Sequence, residues 1–424
     1  MKRTTLIRSV APVIALTIAA AACGSSTAKS SDTKKPATAT APAASKATLA
    51  SQTGAATLRA GLTGLLTEHV ELAAFATDAA LRGDTAGFDQ YAAALNGPTN
   101  SNTSDITAAI TSAYGADVGT AFDGLWRSEK HIPAFVAYTK AVAAGDDAAK
   151  QQALADLTAY ATTFGETLHS VNSNLPADAV TAGIVMHAKT LAAVIDAQKA
   201  GDQAAVYTAL HAATGHMVDF AKTLAVATVA KFPTKFDGDA ASPASELRAG
   251  LTVVLGEHVW LAASATGAAL GGRQAQFDAA AAALNGPTDS NTSTLVGAIG
   301  SVYGSDVQTA FDGLWRSENH IPQFVAYTQA VAKGDAAAAT AAIEKLTAYA
   351  KTFGETLHSV NANLPADAVT QDIVMHATTL KAVIDAQKAG DPTTASLLRA
   401  AVAHMYGTAS VLADATVVKF PAKF

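Results

Sequence analysis

Histidine is the residue type best placed to do chemistry in this chain, and its spacing is not random. Of eleven histidines, ten form five pairs, 69/258, 131/320, 169/358, 187/376 and 216/404; the first four pairs are 189 residues apart and the last 188. His211 alone has no histidine partner, since Ala400 stands 189 residues on. Apart from Met1, every methionine adjoins a paired histidine, in Met186-His187, Met375-His376, His216-Met217 and His404-Met405. Neutral imidazole ligates zinc, copper and iron, whereas thioether selects copper(I) or haem iron.

Helical phase sorts these residues. His69 falls on the stripe 58, 62, 65, 69, 72, 76, His187 on 180, 184, 187, 191, 194, and His404 on 397, 401, 404, 408, 411. Glu129 lies on 118, 122, 125, 129, 132, 136 with His131 at its flank, and Glu68 adjoins His69. Buried imidazoles and carboxylates need partners, and facing helices that aim several inward are how bundles build metal sites. The expected site therefore comprises His69, His131, His187 and His216, with Met217, Glu68 and Glu129 as further candidates. The second set is His258, His320, His376 and His404, with Met405, Glu257 and Glu318. Copper is the favoured metal, iron and zinc the alternatives, and uptake is expected to strengthen as pH rises through about 6.5. Glu166-x-x-His169 has the spacing of a di-iron ligand pair, but the stripe 154, 157, 161, 164, 168 turns Glu166 outward, to a solvated face.

What positions these side chains is an internal duplication. LRAGLTGLLTEHVELAA begins at Leu58 and LRAGLTVVLGEHVWLAA at Leu247, and the copies close on KFPTKF and KFPAKF. Residues 55–236 and 244–424 read as two tandem copies of one domain, joined by the linker 237–243. Each copy is all-α. Helices are expected at about 58–81, 88–95, 105–114, 117–143, 147–171, 178–200 and 203–230, with Asn102, Thr103 and Ser104 offering N-caps. Gly145-Asp146 and Gly201-Asp202 read as a helix stop followed by the cap of the next helix. Short connections make neighbours antiparallel, so each copy is expected to be an up-and-down, four-helix-bundle-like unit.

Composition sets the limits. Half of the 424 residues are hydrophobic, enough for real cores, and only 15% are charged. The net charge is −6 although the basic residues cluster early, so the two copies are acidic and nucleic-acid binding is not expected. Lys2, Arg3 and Arg8 form a basic n-region, Leu6 to Ile18 supply an apolar core, and Ala20, Ala21 and Ala22 lead into Cys23, the sole cysteine. Residues 1–22 thus read as a lipoprotein signal, with Cys23 lipidated and the protein extracytoplasmic, held to membrane lipid. Residues 23–54, rich in Ser, Thr, Ala, Pro and Lys, read as a flexible tether. There is no nucleophile elbow, phosphate loop, dinucleotide fingerprint or HExxH, so nothing in the sequence points to an enzyme.

The motifs LLTEHVELA, LWRSEKHIPAFVAYT, ATTFGETLHSVNSNLP, ATGHM and KFPTKF make the chain similar to a duplicated helical-bundle lipoprotein family of Gram-positive bacteria, some members of which carry a copper amine oxidase-type label. The resemblance spans both copies and implies an extracytoplasmic helical repeat protein. Two functions compete: transition-metal binding for sequestration or handling, and a metal-free structural or interaction module whose histidines satisfy core hydrogen bonds. A di-iron or haem bundle is a variant of the first.

Overall fold

A computed structural model describes residues 48–128 and 130–424; Cys23, the signal and most of the tether lie outside the described residues, as does Glu129. The described residues form α-helices and one short 3-10 turn, Ala50–Gln52, with no strand among them. The first copy supplies α1 (Gly54–Leu81), α2 (Thr85–Asn96), α3 (Asn102–Tyr114), α4 (Ala116–Trp126), α5 (Ile132–Ala144), α6 (Asp147–Val171), α7 (Ala177–Ala200) and α8 (Gln203–Lys231). The second repeats them as α9 (Pro243–Leu270), α10 (Gln274–Asn285), α11 (Asn291–Tyr303), α12 (Ser305–Trp315), α13 (Ile321–Lys333), α14 (Ala336–Val360), α15 (Ala366–Ala389) and α16 (Thr394–Lys419).

The local rules that start and stop these helices are visible in the residues. Gly145 and Gly201 end α5 and α7 in the left-handed region, at φ 69° and 71°, where a side chain would be strained. The next residue, Asp146 or Asp202, accepts the amide of Ala149 or Ala205 and opens the following helix. At α3 the N-cap is Ser101, in a reciprocal capping box with Ser104. Asn102 is thereby released from capping and turns into the core.

One expected element is not continuous. The helix read over 117–143 is two helices, α4 and α5, separated by a turn that carries His131 as the N-cap of α5. Pro133 explains the break: it lacks an amide proton, and its ring would clash with the carbonyl four residues back, inside the interrupted turn. The stripe read through position 129 is therefore interrupted before His131, and Glu129 itself lies outside the described residues. Its counterpart Glu318 is exposed in the equivalent turn.

In each copy the long helices pack as neighbours, α6 on α7, α7 on α8 and α8 back on α1, with α2 also against α1. The copies meet where α1 lies along α9, and one apolar core runs through both. By length and composition α7 and α9 could each cross a membrane; most of the apolar stretch of α9 is buried here, as in a core helix.

Candidate metal centre

Three elements of the first copy converge on one point. α1 delivers His69 from its apolar stripe, the α4–α5 turn delivers His131, and α7 delivers His187; the three are 2%, 1% and 3% exposed. One ligand nitrogen from each lies within 4.8 Å of the others, and His258, His320 and His376 form the same group in the second copy. Ring centroids are separated by 5.6, 5.6 and 6.3 Å in the first triad and by 5.7, 5.7 and 6.5 Å in the second. The two copies thus place their equivalent histidines in one geometry.

The hydrogen bonds fix how the rings face. His131 donates Nδ1–H to the carbonyl of Trp126 at 2.8 Å, an oxygen freed by the end of α4, and His320 does the same to Trp315 at 2.8 Å. A carbonyl only accepts, so the neutral ring keeps a bare lone pair on Nε2, the usual arrangement of an oriented metal-ligating histidine. Nε2 of His131, Nδ1 of His69 and His258, and both nitrogens of His187 and His376 are buried without a hydrogen-bond partner. An unmade hydrogen bond at a buried polar atom costs about 1–3 kcal/mol, and here such atoms are concentrated in two small clusters.

Aromatic rings enclose each triad. Tyr160 stacks on His131 at 4.7 Å, Trp126 sits edge-on to His69 and His131 at 5.1 and 4.6 Å, and Phe135 lies 5.5 Å from His187. Tyr349, Trp315 and Phe324 repeat these contacts. Burial in this low-dielectric setting disfavours the imidazolium. It lowers His69 to about 3 with a further contribution from His131, and His131 to about 4. His320 falls to about 4 and His376 to about 3, and His187 and His258 are also held well below the ordinary value. The rings are therefore neutral, metal-competent ligands well below pH 6.5, which replaces the expectation drawn from an unperturbed histidine.

The other candidates are not brought into the triads. The Nε2–H of His216 donates to the Gly183 carbonyl at 2.8 Å, and that of His404 to the Asp372 carbonyl at 3.0 Å. They stand beside His187 and His376 but spend a nitrogen elsewhere. Met217 and Met405 are buried in the apolar core, while Met186 and Met375 are about half exposed. Glu68 is held by Asn102 at 2.9 Å and by Arg399 at 2.7 Å, and Glu257 by Asn291 at 2.9 Å and His211 at 2.8 Å. Both carboxylates thus serve the meeting of the copies and not the triads. Glu166 is exposed, as its phase implied, and His169 donates to the Leu175 carbonyl at 2.8 Å.

Sequence reasoning did not reveal Tyr160 and Tyr349. Their signal was present, since position 160 sits next to 161 on the α6 core stripe. No family model, curated protein or solved structure matches the chain.

Proposed function

We propose that this is an exported, lipid-anchored protein in which each of two tandem helical bundles binds one transition-metal ion through its three buried histidines, for sequestration or handling. The observation that carries the reading is the pair of triads in which His187 and His376 have no hydrogen-bond partner on either ring nitrogen. A structural histidine usually finds a partner in the core, as His131 does on one nitrogen; a cation shared by the triad would offset the desolvation of the nitrogens left over, above all those of His187 and His376. Three neutral nitrogens suit copper, zinc or iron, and the usual affinity order among divalent ions favours copper(II). The thioether argument for copper(I) is weaker, because Met186 and Met375 are turned outward. Three protein ligands leave a coordination position open, as in catalytic and transport sites and unlike closed structural ones. The placement outside the cytoplasm rests on Lys2, Arg3, Arg8, the apolar run and Cys23.

The test is metal content of the untagged protein, followed by titration with Cu(I), Cu(II), Zn(II) and Fe(II). Close to two equivalents are expected, falling to one in His187→Ala and to none in the double variant with His376→Ala. Binding no tighter than about micromolar for every ion would overturn the proposal. For placement, Cys23→Ala should release the processed protein from the membrane fraction.

A further inference from the structure

Beside each triad a pocket opens to the surface, and it is the same pocket twice. In the first copy it has a volume of about 480 Å³, lies between α1, α2, α5 and α7, and reaches down to His69. In the second it has about 200 Å³ and reaches His258. Every residue lining the smaller pocket has its counterpart 189 positions earlier in the larger one. Within that shared wall the residue types differ only at Thr85, which becomes Gln274, and Lys140, which becomes Gln329. All four of these residues are exposed at the rim.

The wall has one chemical character. Phe88, Leu95, Ile132, Phe135, Val136 and Leu191 supply its large side chains, with alanines between them. The two threonines that both pockets share have already spent their hydroxyl protons: Thr77 bonds Ala74 and Gln198, and Thr139 donates to the Phe135 carbonyl. Their counterparts do likewise, Thr266 toward Ala263 and Gln387 and Thr328 toward Phe324. A charged guest would lose its hydration with nothing in the shared wall to replace it, and the Lys140 charge is not repeated in the second copy. Inside the rim of the shared wall, the one titratable side chain is the triad histidine.

We propose that each pocket is a binding site for a small, uncharged, mainly apolar molecule, which lies against His69 or His258 and reaches the open coordination position of the metal. The second half rests on the metal reading above; the first does not. The pockets differ in the size they accept. An apolar cavity of about 150 Å³ suffices for benzene or xenon, so the second pocket takes a guest of that size. The first falls in the range that encloses organic ligands of two or more rings. The first pocket extends further, along Gly83, Ala92, Ala93, Asn96 and Gly97, and Thr85 and Lys140 against Gln274 and Gln329 are the exchanges at the shared rim.

The experiment has two arms. In the metal-free full chain, benzene and naphthalene binding is followed by NMR: two sites are expected for benzene and one for naphthalene. Thr85→Gln with Lys140→Gln, at exposed positions, should weaken naphthalene at least tenfold and leave benzene at two sites. Val136→Trp should abolish both guests in the first pocket. Failure of the full chain to bind either hydrocarbon, or binding that the rim and wall variants leave unchanged, overturns the pocket whatever the metal does. In the cobalt(II)-loaded protein, 4-phenylimidazole should perturb the visible spectrum at least tenfold more tightly than azide, and Val136→Trp should remove that preference at one site. Azide binding as tightly as the azole would overturn the link between pocket and metal while leaving the hydrocarbon result standing, and absence of cobalt uptake would count against the metal reading alone.

Discussion

Three imidazoles buried against one another have a thermodynamic consequence that does not depend on what they bind. Their protonation is suppressed in the fold and ordinary in the unfolded chain, so below about pH 6.5 the unfolded state takes up protons that the folded state cannot. Stability is fully present above 6.5 and is lost as pH falls toward about 4, by up to about 1.4 kcal/mol per pH unit for each buried histidine. Urea midpoints of metal-free protein should therefore drop steeply between pH 6.5 and 4.5, and less steeply in His187→Phe with His376→Phe; equal slopes would mean that the triads hydrate freely. Glu71 behaves in the opposite sense. It is 2% exposed, and burial with the nearby Glu257 raises its pKa well above the usual carboxylate range, so stability is lost as pH rises from about 4.5 through the folded value. Glu71→Gln keeps the volume and the approach to Thr214 while removing the charge. Its melting temperature should exceed the parent's at pH 8 and converge with it near pH 5. A lower melting temperature at pH 8 would show that the carboxylate is paired.

At the scale of elements, most of the architecture was legible because local signals and packing agree. The Gly-Asp pairs at 145–146 and 201–202, the Ala-rich amphipathic runs and the repeat itself predict helix ends within a residue or two for α6, α7 and α8. The stripe containing His69 and the one containing His187 both face inward as their phase requires. The reading went astray where two local rules competed. Apolar periodicity carries on through 117–143, yet Pro133 forbids it, and the resulting turn is what supplies both His131 and the carbonyl that orients it. A helix-phase argument could not place His131, because its position is set by a loop and by α1 and α7 packing around it. Asn102 is a second case: a residue read as a cap is a strut. Fully buried, it donates to the Leu65 carbonyl at 2.8 Å and to Glu68 at 2.9 Å, tying the start of α3 to the middle of α1; Asn291 repeats this with Val254 and Glu257. Asn102→Ala leaves the carbonyl and the carboxylate short of a donor and should cost about 2 kcal/mol in urea unfolding, with Asn291→Ala similar. A loss under about 0.5 kcal/mol would mean that solvent reaches this junction.

At the scale of the molecule, the duplication is visible in sequence but the way the copies meet is not, since it joins positions far apart. The contacts show a two-fold exchange of roles. Arg399 of the second copy reaches Glu68 of the first at 2.7 Å, and His211 of the first reaches Glu257 of the second at 2.8 Å. With the one-residue loss placed before α16, Arg399 stands where His211 does, so the unpaired histidine is a drifted member of a reciprocal pair of carboxylate partners. Close approach is permitted by glycine: a side-chain carbon on Gly64 or Gly256 would come within 2.8 or 2.7 Å of the Tyr406 ring lying against both. Trp260 completes the contact against Phe75, at 5.6 Å between centroids. Each copy nonetheless carries its own set of eight helices and its own triad, so residues 48–236 and 237–424 expressed apart should each be helical and should combine one-to-one when mixed. Circular dichroism and size-exclusion chromatography test this, and a copy that unfolds alone would show that the core cannot be divided. Arg399→Ala strips a buried carboxylate of its cation and should weaken the reassociation by about 3 kcal/mol, roughly a hundredfold or more in Kd. His211→Ala acts on the weaker, more exposed partner and should cost less, most visibly below pH 6.5, because the bond to Glu257 raises the pKa of His211 and its charged form is the better partner. If the two variants weakened association equally at pH 8, the exchange of roles between Arg399 and His211 would be a likeness of position and not of energy.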